Sequence, residues 1–446
     1  MISNIKHEEE SITFVEAKVL PEKKEKVSIK KIPFELCDKQ AVLSAKKLAA
    51  FLKGVSEEGY ILYGHQNDLH RKAGPHKRPF SCSDTYDVTG EYAAVCGLDA
   101  LCLVGTENGH WYWTRKERIS SCVKLTLKSI RNGSLVSLSA HMPNFQLVQE
   151  WKDGITALPA LHHHSKKINE KKFNGGYSDF PVELKDGSTN FFGYTPNDLR
   201  GSVVRDIMPG KKLNGLYTEY LDLICDYCAE LNKKNVAIIW RPFHENSGGW
   251  FWWGSKSCTP EEFIALWRYT YKYFTEEKNI HNLIWAYSPG SEYHSVEEYE
   301  SRYPGDDYVD LLGFDMYQQY PDQGDAFWPL FEEQCRIVSE TAEKHGKLFA
   351  NTETGIMNPG NKALLNNGNH DMNWYEKVAS ICLKYKSCYY LLWANFWAGG
   401  AYYTPYIKSF KKFAGRIKML KGHEMLDSFI RFYNNPKVLF SKEIKK

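Results

Sequence analysis

The stretch Arg241 to Gly254, RPFHENSGGWFWWG, sets a carboxylate, Glu245, and a histidine, His244, beside Trp250, Trp252 and Trp253. Tryptophans at a loop surface are costly unless something flat and amphipathic covers them. Sugar rings do so, because their C–H faces stack on indole while their hydroxyls bond to carboxylate, histidine and arginine. The competing reading is a tryptophan-rich corner of the core. A second carboxylate, Glu353, lies in NTETG. Cleaving a glycosidic bond takes two carboxyl groups, one protonated to donate to the leaving oxygen and one ionised to attack the sugar carbon or activate water. A gap of about 5–5.5 Å between them implies retention of configuration, and a wider one inversion. The amino-acid order alone leaves that gap open.

The elements that must carry these groups are eight short β-branched or aromatic runs separated by helical patterns. They are Tyr60–Gln66, Ala93–Gly105, Leu135–His141, Val236–Glu245, Asn282–Pro289, Tyr308–Tyr317, Lys347–Glu353 and Tyr389–Asn395. Nearly continuous apolar cores mark parallel strands buried on both faces. Thr259-Pro260-Glu261-Glu262 combines an N-cap, a first-turn proline and a capping-box glutamate, and it opens a helix carrying Phe263, Leu266, Trp267, Tyr271 and Phe274 at helical spacing. Lys344-His345-Gly346 closes another helix, begun near Trp328, with a basic last turn and a glycine. The pattern predicts an α/β chain, a single (β/α)8 barrel, with a doubly wound sheet as the second option. No glycine-rich phosphate loop follows the first strand to support that option. Residues 1–36 read as an irregular lead-in and 37–446 as one catalytic domain. The span Met142 to Asn235 is too long for one helix and is expected to hold loops over the barrel mouth.

Barrel enzymes keep their reactive groups at the C-terminal ends of the strands. Those ends carry His65, Gln66, Asp99, His141, His244, Glu245, Tyr287, Asp315, Tyr317, Glu353, Trp393 and Asn395. Glu245 and Glu353, on strands four and seven, are placed to flank one bond across the mouth. Arg241 and Tyr317 would keep Glu353 ionised by charge and hydrogen bonding, and apolar walls from Trp250 would favour protonated Glu245. Arg241 and Tyr287 are read as supporting residues. Arg241 also has a purely structural reading, as an ion-pair partner inside the barrel, and His65 and Asp99 are equally readable as rim-holding groups.

Composition narrows the alternatives. With 57 basic and 54 acidic residues the net charge is +3, which gives no electrostatic case for nucleic acid. The basic runs KVLPEKKEKVSIKK and SKEIKK read as solvated tails. No segment approaches the ~20 apolar residues of a membrane span. The start, MISNIKHEEESITF, has no signal-like apolar run, so a cytoplasmic protein is expected, or a secreted one if a leader has been trimmed. The 11 cysteines are scattered and odd in number, unlike a disulfide framework. Cys225 and Cys228 read as helix-face packing, and His162, His163 and His164 as a loop cluster with no carboxylate partner. Neither makes a metal site, and no metal or cofactor is expected. The partner expected is a glycan, taken up by a monomer.

The motifs SDTYDVTGEYAAVCGLD, RPFHENSGGWFWWG, VDLLGFDMY, NTETG and FIRFYNNPKVLF resemble the β-mannanases of glycoside hydrolase family 26, from Gly64 almost to the end of the chain. The resemblance implies a (β/α)8 barrel and endo-acting, retaining double displacement on β-1,4-mannosidic bonds of mannan or manno-oligosaccharides. It matches Glu245 to the acid/base, Glu353 to the nucleophile, His244 to the histidine contacting the sugar at the cleavage point and Trp250 to the leaving-side stacking residue. Trp393 matches the platform under the attacked sugar, and Tyr317 the tyrosine that orients the nucleophile. The chain departs at LSAHMPNFQLV, where the family commonly has a tryptophan before the histidine and Asn-Pro after it, so His141 is a looser substrate-binding match. Relatives with the same machinery act on mixed-linkage β-glucan or β-1,3-xylan. A non-catalytic carbohydrate-binding barrel is the other alternative, and it predicts loss of one glutamate.

Overall fold

The computed structural model describes residues 12–110, 112–155, 181–358, 363–397 and 401–444. His162, His163 and His164 lie outside them. Eight parallel strands pair in chain order and close on themselves: β1 Ile61–Gln66, β2 Val95–Asp99, β3 Leu135–Ser139, β4 Ile238–Arg241, β5 Leu283–Tyr287, β6 Leu311–Gln318, β7 Leu348–Ile356 and β8 Tyr389–Leu392. Pairing of Leu62 with Tyr389 through His65 with Leu392 completes the ring. The expected (β/α)8 barrel is the observed architecture.

Alternation along the strands separates two cores. Leu62, Val95, Ile239, Ile284, Leu311, Leu348, Ala350, Tyr389 and Leu391 form one buried cluster with Ala45, Ala49 and Leu52 of the helix Leu43–Glu57. The other parity, including Tyr63, Leu98, Leu138, Trp240, Trp285, Phe314 and Tyr390, belongs to the larger cluster shared with the surrounding helices. Continuing the inner parity upward sets Asp99, His141, Arg241, Ser288, Asp315, Tyr317 and Trp393 toward the barrel axis.

Local signals place the helices. Thr259 accepts from Glu262 N while Glu262 reaches back to the Thr259 N–H, so the anticipated capping box opens Pro260–Lys272. Gly346, at φ +63°, ends Phe327–His345 where the glycine was expected to stop it. Cys225 and Cys228 lie buried in Asn214–Asn232, as packing residues. The span between β3 and β4 includes the helices Phe145–Lys152, Val203–Asp206 and Asn214–Asn232, and between them a loop over the mouth, where Pro196 O accepts from Trp252 N at 3.0 Å.

Several strands are shorter than the apolar runs. The Ala93–Gly105 run yields only Val95–Asp99 before a 3-10 turn, Ala100–Cys102, nucleated by Asp99 accepting from Leu101 N. Val236–Glu245 yields Ile238–Arg241, with Glu245 beyond the strand in a tight turn. Alternation missed a three-stranded antiparallel sheet of Val15–Glu16, Arg416–Gly422 and Ile407–Phe413. Its hairpin turns on Ala414 and Gly415, both at positive φ, as a two-residue turn of that hand requires.

The basic ends are not solvated tails. Lys24 Nζ pairs with Glu443 at 2.9 Å and lies over the Tyr433 and Phe440 rings, while Val27 N donates to Glu443 O at 2.7 Å. Each run supplies the countercharge and the apolar cover that make burial of the other tolerable. Glu443→Ala, which leaves the Lys24 ammonium with the Val438 carbonyl but without its carboxylate partner, is expected to lower stability by about 2–3 kcal/mol. An unchanged denaturant midpoint would show that the two ends do not brace each other.

Candidate active site

Three carboxyl groups meet at the C-terminal mouth of the barrel. One oxygen each of Glu245, Asp315 and Glu353 lies within 4.8 Å of the other two. Arg241, buried at the end of β4, donates through Nη2 to Glu353 Oε2 at 2.6 Å and through Nη1 to Asp315 Oδ2 at 2.5 Å. It makes a longer bond to Ser288 Oγ at 3.3 Å. Tyr317 donates to the other oxygen of Glu353, Oε1, at 2.5 Å. Glu353 therefore receives a donor on each oxygen, an arrangement only its carboxylate form satisfies fully.

Strict alternation would turn Glu353 away from this site, because Leu348 and Ala350 already face the barrel interior. A bulge corrects it. Phe314 pairs with Asn351, but Asp315 pairs with Glu353, leaving Thr352 as the extra residue. Thr352 Oγ1 lies 2.7 Å from Asp315 Oδ1 and 3.0 Å from Phe314 O. Gly313 makes room, since a Cβ there would lie 2.5 Å from Thr352 Cγ2.

Glu245 is held differently. It adopts φ +55°, a left-handed conformation costly for a residue with a Cβ. Its N–H donates to Ser288 O at 2.8 Å, and Trp253 Nε1 donates to the preceding His244 carbonyl at 2.8 Å, so the turn is fixed from both sides. The Trp250 indole donates to Glu245 Oε2 at 2.6 Å, leaving Oε1 to carry a proton. Gly248 permits that fold-over, because a Cβ there would lie 2.4 Å from the Trp250 ring. Burial first, then the Glu353 and Asp315 charges, hold Glu245 well above the usual carboxylate range. Burial, together with the Glu353 charge and against Arg241, pushes Asp315 up to about 8. Of the three carboxyl groups, Glu353 receives both the guanidinium and a tyrosine hydroxyl.

Histidines line one side. Although burial disfavours its charge, Asp99, 2.8 Å from Nδ1, raises the pKa of His141. His141 Nε2 and His244 Nε2 are hydrogen-bonded at 3.2 Å. His244 stays neutral, lowered well below 6.5 by burial and then by the His141 and Arg241 charges. Its Nδ1 is buried and has no partner among the described residues. Trp393 lies 5.8 Å from the His141 ring, half-buried at the end of β8, and Trp250 is 41% exposed. Trp252 and Trp253 are buried packing residues.

Eight of the nine residues picked from the sequence thus converge: Glu245, Glu353, His141, His244, Trp250, Tyr317, Trp393 and Arg241. Tyr287 does not. It shares the outward parity of Leu283 and Trp285, packs 5.9 Å from the Trp267 ring and donates to Tyr299 O at 3.3 Å. His65, also of outward parity, pairs with Asp68 at 2.9 Å, and Asp99 acts through His141. Asp315 had been noted only as a strand-end group, and Tyr194, 5.4 Å from His141, was missed. Tyr194 comes from the irregular loop between β3 and β4, whose only signal is its neighbour Gly193 and the Thr195-Pro196 that follows.

A parallel barrel with an unequal pair of carboxyl groups at its mouth, flanked by indoles, defines a glycoside-hydrolase site. The profile of glycosyl hydrolase family 26 matches residues 37–393, and the chain belongs to that family. The mannan endo-1,4-β-mannosidase of Bifidobacterium adolescentis is 27% identical over 402 residues, 86% of this chain and 35% of the relative. That of Bacillus subtilis strain 168 is 29% identical, over 57% of this chain and 60% of the relative. The chain thus spans from about a third to three-fifths of the length of these curated relatives. Among solved structures, the catalytic domain of the Bacillus sp. JAMB-750 endo-β-1,4-mannanase superposes with a TM-score of 0.74 at 27% identity, covering 93% of this chain and 95% of that one. The Bacteroides ovatus β-mannanase gives 0.65 at 27%, covering 89% and 95%.

Two outcomes follow from the geometry. Trp250→Phe removes a hydrogen bond that favours ionised Glu245, so its pKa rises further. Because the acid must be protonated, the alkaline limb of kcat/KM moves to higher pH, and an unmoved limb would contradict the contact's role. Tyr287→Phe is expected to leave kcat/KM within about twofold, whereas Tyr317→Phe, by loosening Glu353, lowers kcat by about a hundredfold. Equal losses in steady-state assays would overturn that contrast.

Proposed function

We propose that the protein is an endo-acting mannan hydrolase that cleaves β-1,4-mannosidic bonds of mannans or manno-oligosaccharides by retaining double displacement. The observation that carries the mechanism is the carboxyl spacing: an oxygen of Glu245 comes within 4.8 Å of one of Glu353, which fits the short class of about 5–5.5 Å and not the wider gap of inverting enzymes. Glu353 attacks the anomeric carbon while Glu245 passes its proton to the departing glycosidic oxygen. The product with its new hydroxyl leaves, and Glu245, now a carboxylate, takes a proton from the water that releases the sugar from Glu353. Arg241 and Tyr317 hold the attacking oxygens in place, and Trp250 and Trp393 offer stacking faces on either side of the cleavage point. The mannan-cleaving names of the matched relatives support the choice of sugar.

Incubation with β-mannan, mixed-linkage β-glucan, β-1,3-xylan and short manno-oligosaccharides tests this. Internal cleavage of mannan into a ladder of oligosaccharides is expected. Turnover of the glucan or the xylan with mannan untouched would overturn the substrate while leaving the mechanism standing. Glu353→Ala is expected to lose at least about 10⁴-fold in kcat on every substrate. Glu245→Ala should lose about 10²–10⁴-fold on oligosaccharides and far less on aryl glycosides with activated leaving groups. Equal loss on both would remove Glu245 from the acid role.

A further inference from the structure

Two loops at the barrel mouth bring together metal-ligating groups that have no part in sugar cleavage. His70 follows β1, and Cys102 and Glu107 follow β2. His70 Nε2 lies 3.6 Å from Cys102 Sγ, which lies 3.9 Å from Glu107 Oε2, and the three atoms are all within 4.8 Å of one another. Zinc bonds of about 2.0–2.3 Å to nitrogen, oxygen and sulfur give tetrahedral edges of roughly 3.3–3.8 Å. The two edges at Cys102 Sγ are thus spaced nearly as a zinc ion would hold them, and too long for strong hydrogen bonds.

We propose that His70, Cys102 and Glu107 form a binding site for a thiophilic divalent cation, Zn²⁺ foremost, with water in the fourth position. A neutral imidazole, a thiolate and a carboxylate carry two negative charges, which the ion's two positive charges cancel in a site where Cys102 is fully buried. Binding forms the Zn–S bond as the thiol proton leaves to solvent. His70 and Glu107 are half-buried, which keeps a path to water on that side. A second feature of the site points the same way. Asn67, itself fully buried, donates through Nδ2 to Glu107 Oε2 at 3.1 Å, while its Oδ1 has no partner among the described residues. Arg71 Nη2 holds the Glu107 carbonyl at 3.1 Å. The amide orients the ligating carboxylate and the arginine fixes the backbone that carries it.

The site is a brace rather than a reaction centre. Thr106, beside Glu107, exchanges hydrogen bonds with Gly193 at 3.1 and 3.3 Å, and the next residue, Tyr194, packs on His141. An ion at Glu107 would tie β1 and β2 to that wall of the substrate groove. Local spacing does not reveal the cluster, because 32 residues separate His70 from Cys102.

Chelator-stripped full-length protein titrated with Zn²⁺ and with Co²⁺ tests the proposal. One equivalent is expected to bind, with a near-ultraviolet thiolate-to-cobalt band and a Zn²⁺-dependent rise in Tm. Cys102→Ser should abolish the band and the rise, and Glu107→Gln should weaken binding at least about tenfold. Cys82→Ser, at a half-buried thiol outside the cluster, should change neither. Should Cys102→Ser fail to fold, the half-buried Glu107→Gln carries the test. Absence of stoichiometric binding, or a band and affinity that survive in the ligand variants, would overturn it.

Discussion

The Arg241 guanidinium stands among three carboxyl groups with a hydrogen bond to two of them. Without it, Asp315 and Glu353 could not share the barrel interior with Glu245 except as neutral acids, because like charges at that separation in a buried site exclude one another. With it, Asp315 and Glu353 each gain a charged donor, while Glu245, which has none, is held well above the usual carboxylate range. The hydroxyl of Thr352, 2.7 Å from Asp315 Oδ1 and 3.0 Å from Phe314 O, ties the cluster to β6. The asymmetry the reaction needs, an acid beside a base, therefore comes from one fixed positive charge and from burial, and the rest of the site serves to place groups around it.

Placement rests on alternation and on two deliberate departures from it. Inner parity along the strands carries Arg241, Asp315, Tyr317, His141 and Trp393 into the mouth above the apolar floor of Ile239, Ile284 and Leu311. Glu353 reaches the same space only because the bulge at Thr352 shifts β7 by one residue. Glu245 reaches it from a left-handed turn, a strained conformation held by Ser288 O on one side and the Trp253 indole on the other. The two residues that carry the chemistry each sit at such a departure.

This division explains what could be read from the chain. The Glu245 side was legible because His244, Glu245, Trp250 and their glycines are contiguous, so local spacing already describes the site. The eight strands were legible as apolar runs, though their ends were not, since turn-forming contacts such as Asp99 to Leu101 N stop a strand before the hydrophobicity ends. Tyr287 was misplaced by counting strand ends without following parity, which sets it with Trp285 among the helices. The basic ends read as free because each depends on a partner some 400 residues away, as Lys24 does on Glu443. Tyr194 and the His70–Cys102–Glu107 cluster depend on loop geometry that no periodicity encodes.

The central claim is that Glu353 attacks carbon while Glu245 serves first as acid and then as base. Two inversions at one carbon restore its configuration, so the first-formed sugar must keep the anomeric form of the bond that was cut. Proton NMR of manno-oligosaccharide hydrolysis in its first minutes, before mutarotation, reads this directly. The account predicts the β-anomer as the initial product. Initial release of the α-anomer would mean that water, not Glu353, makes the attack, and would contradict it.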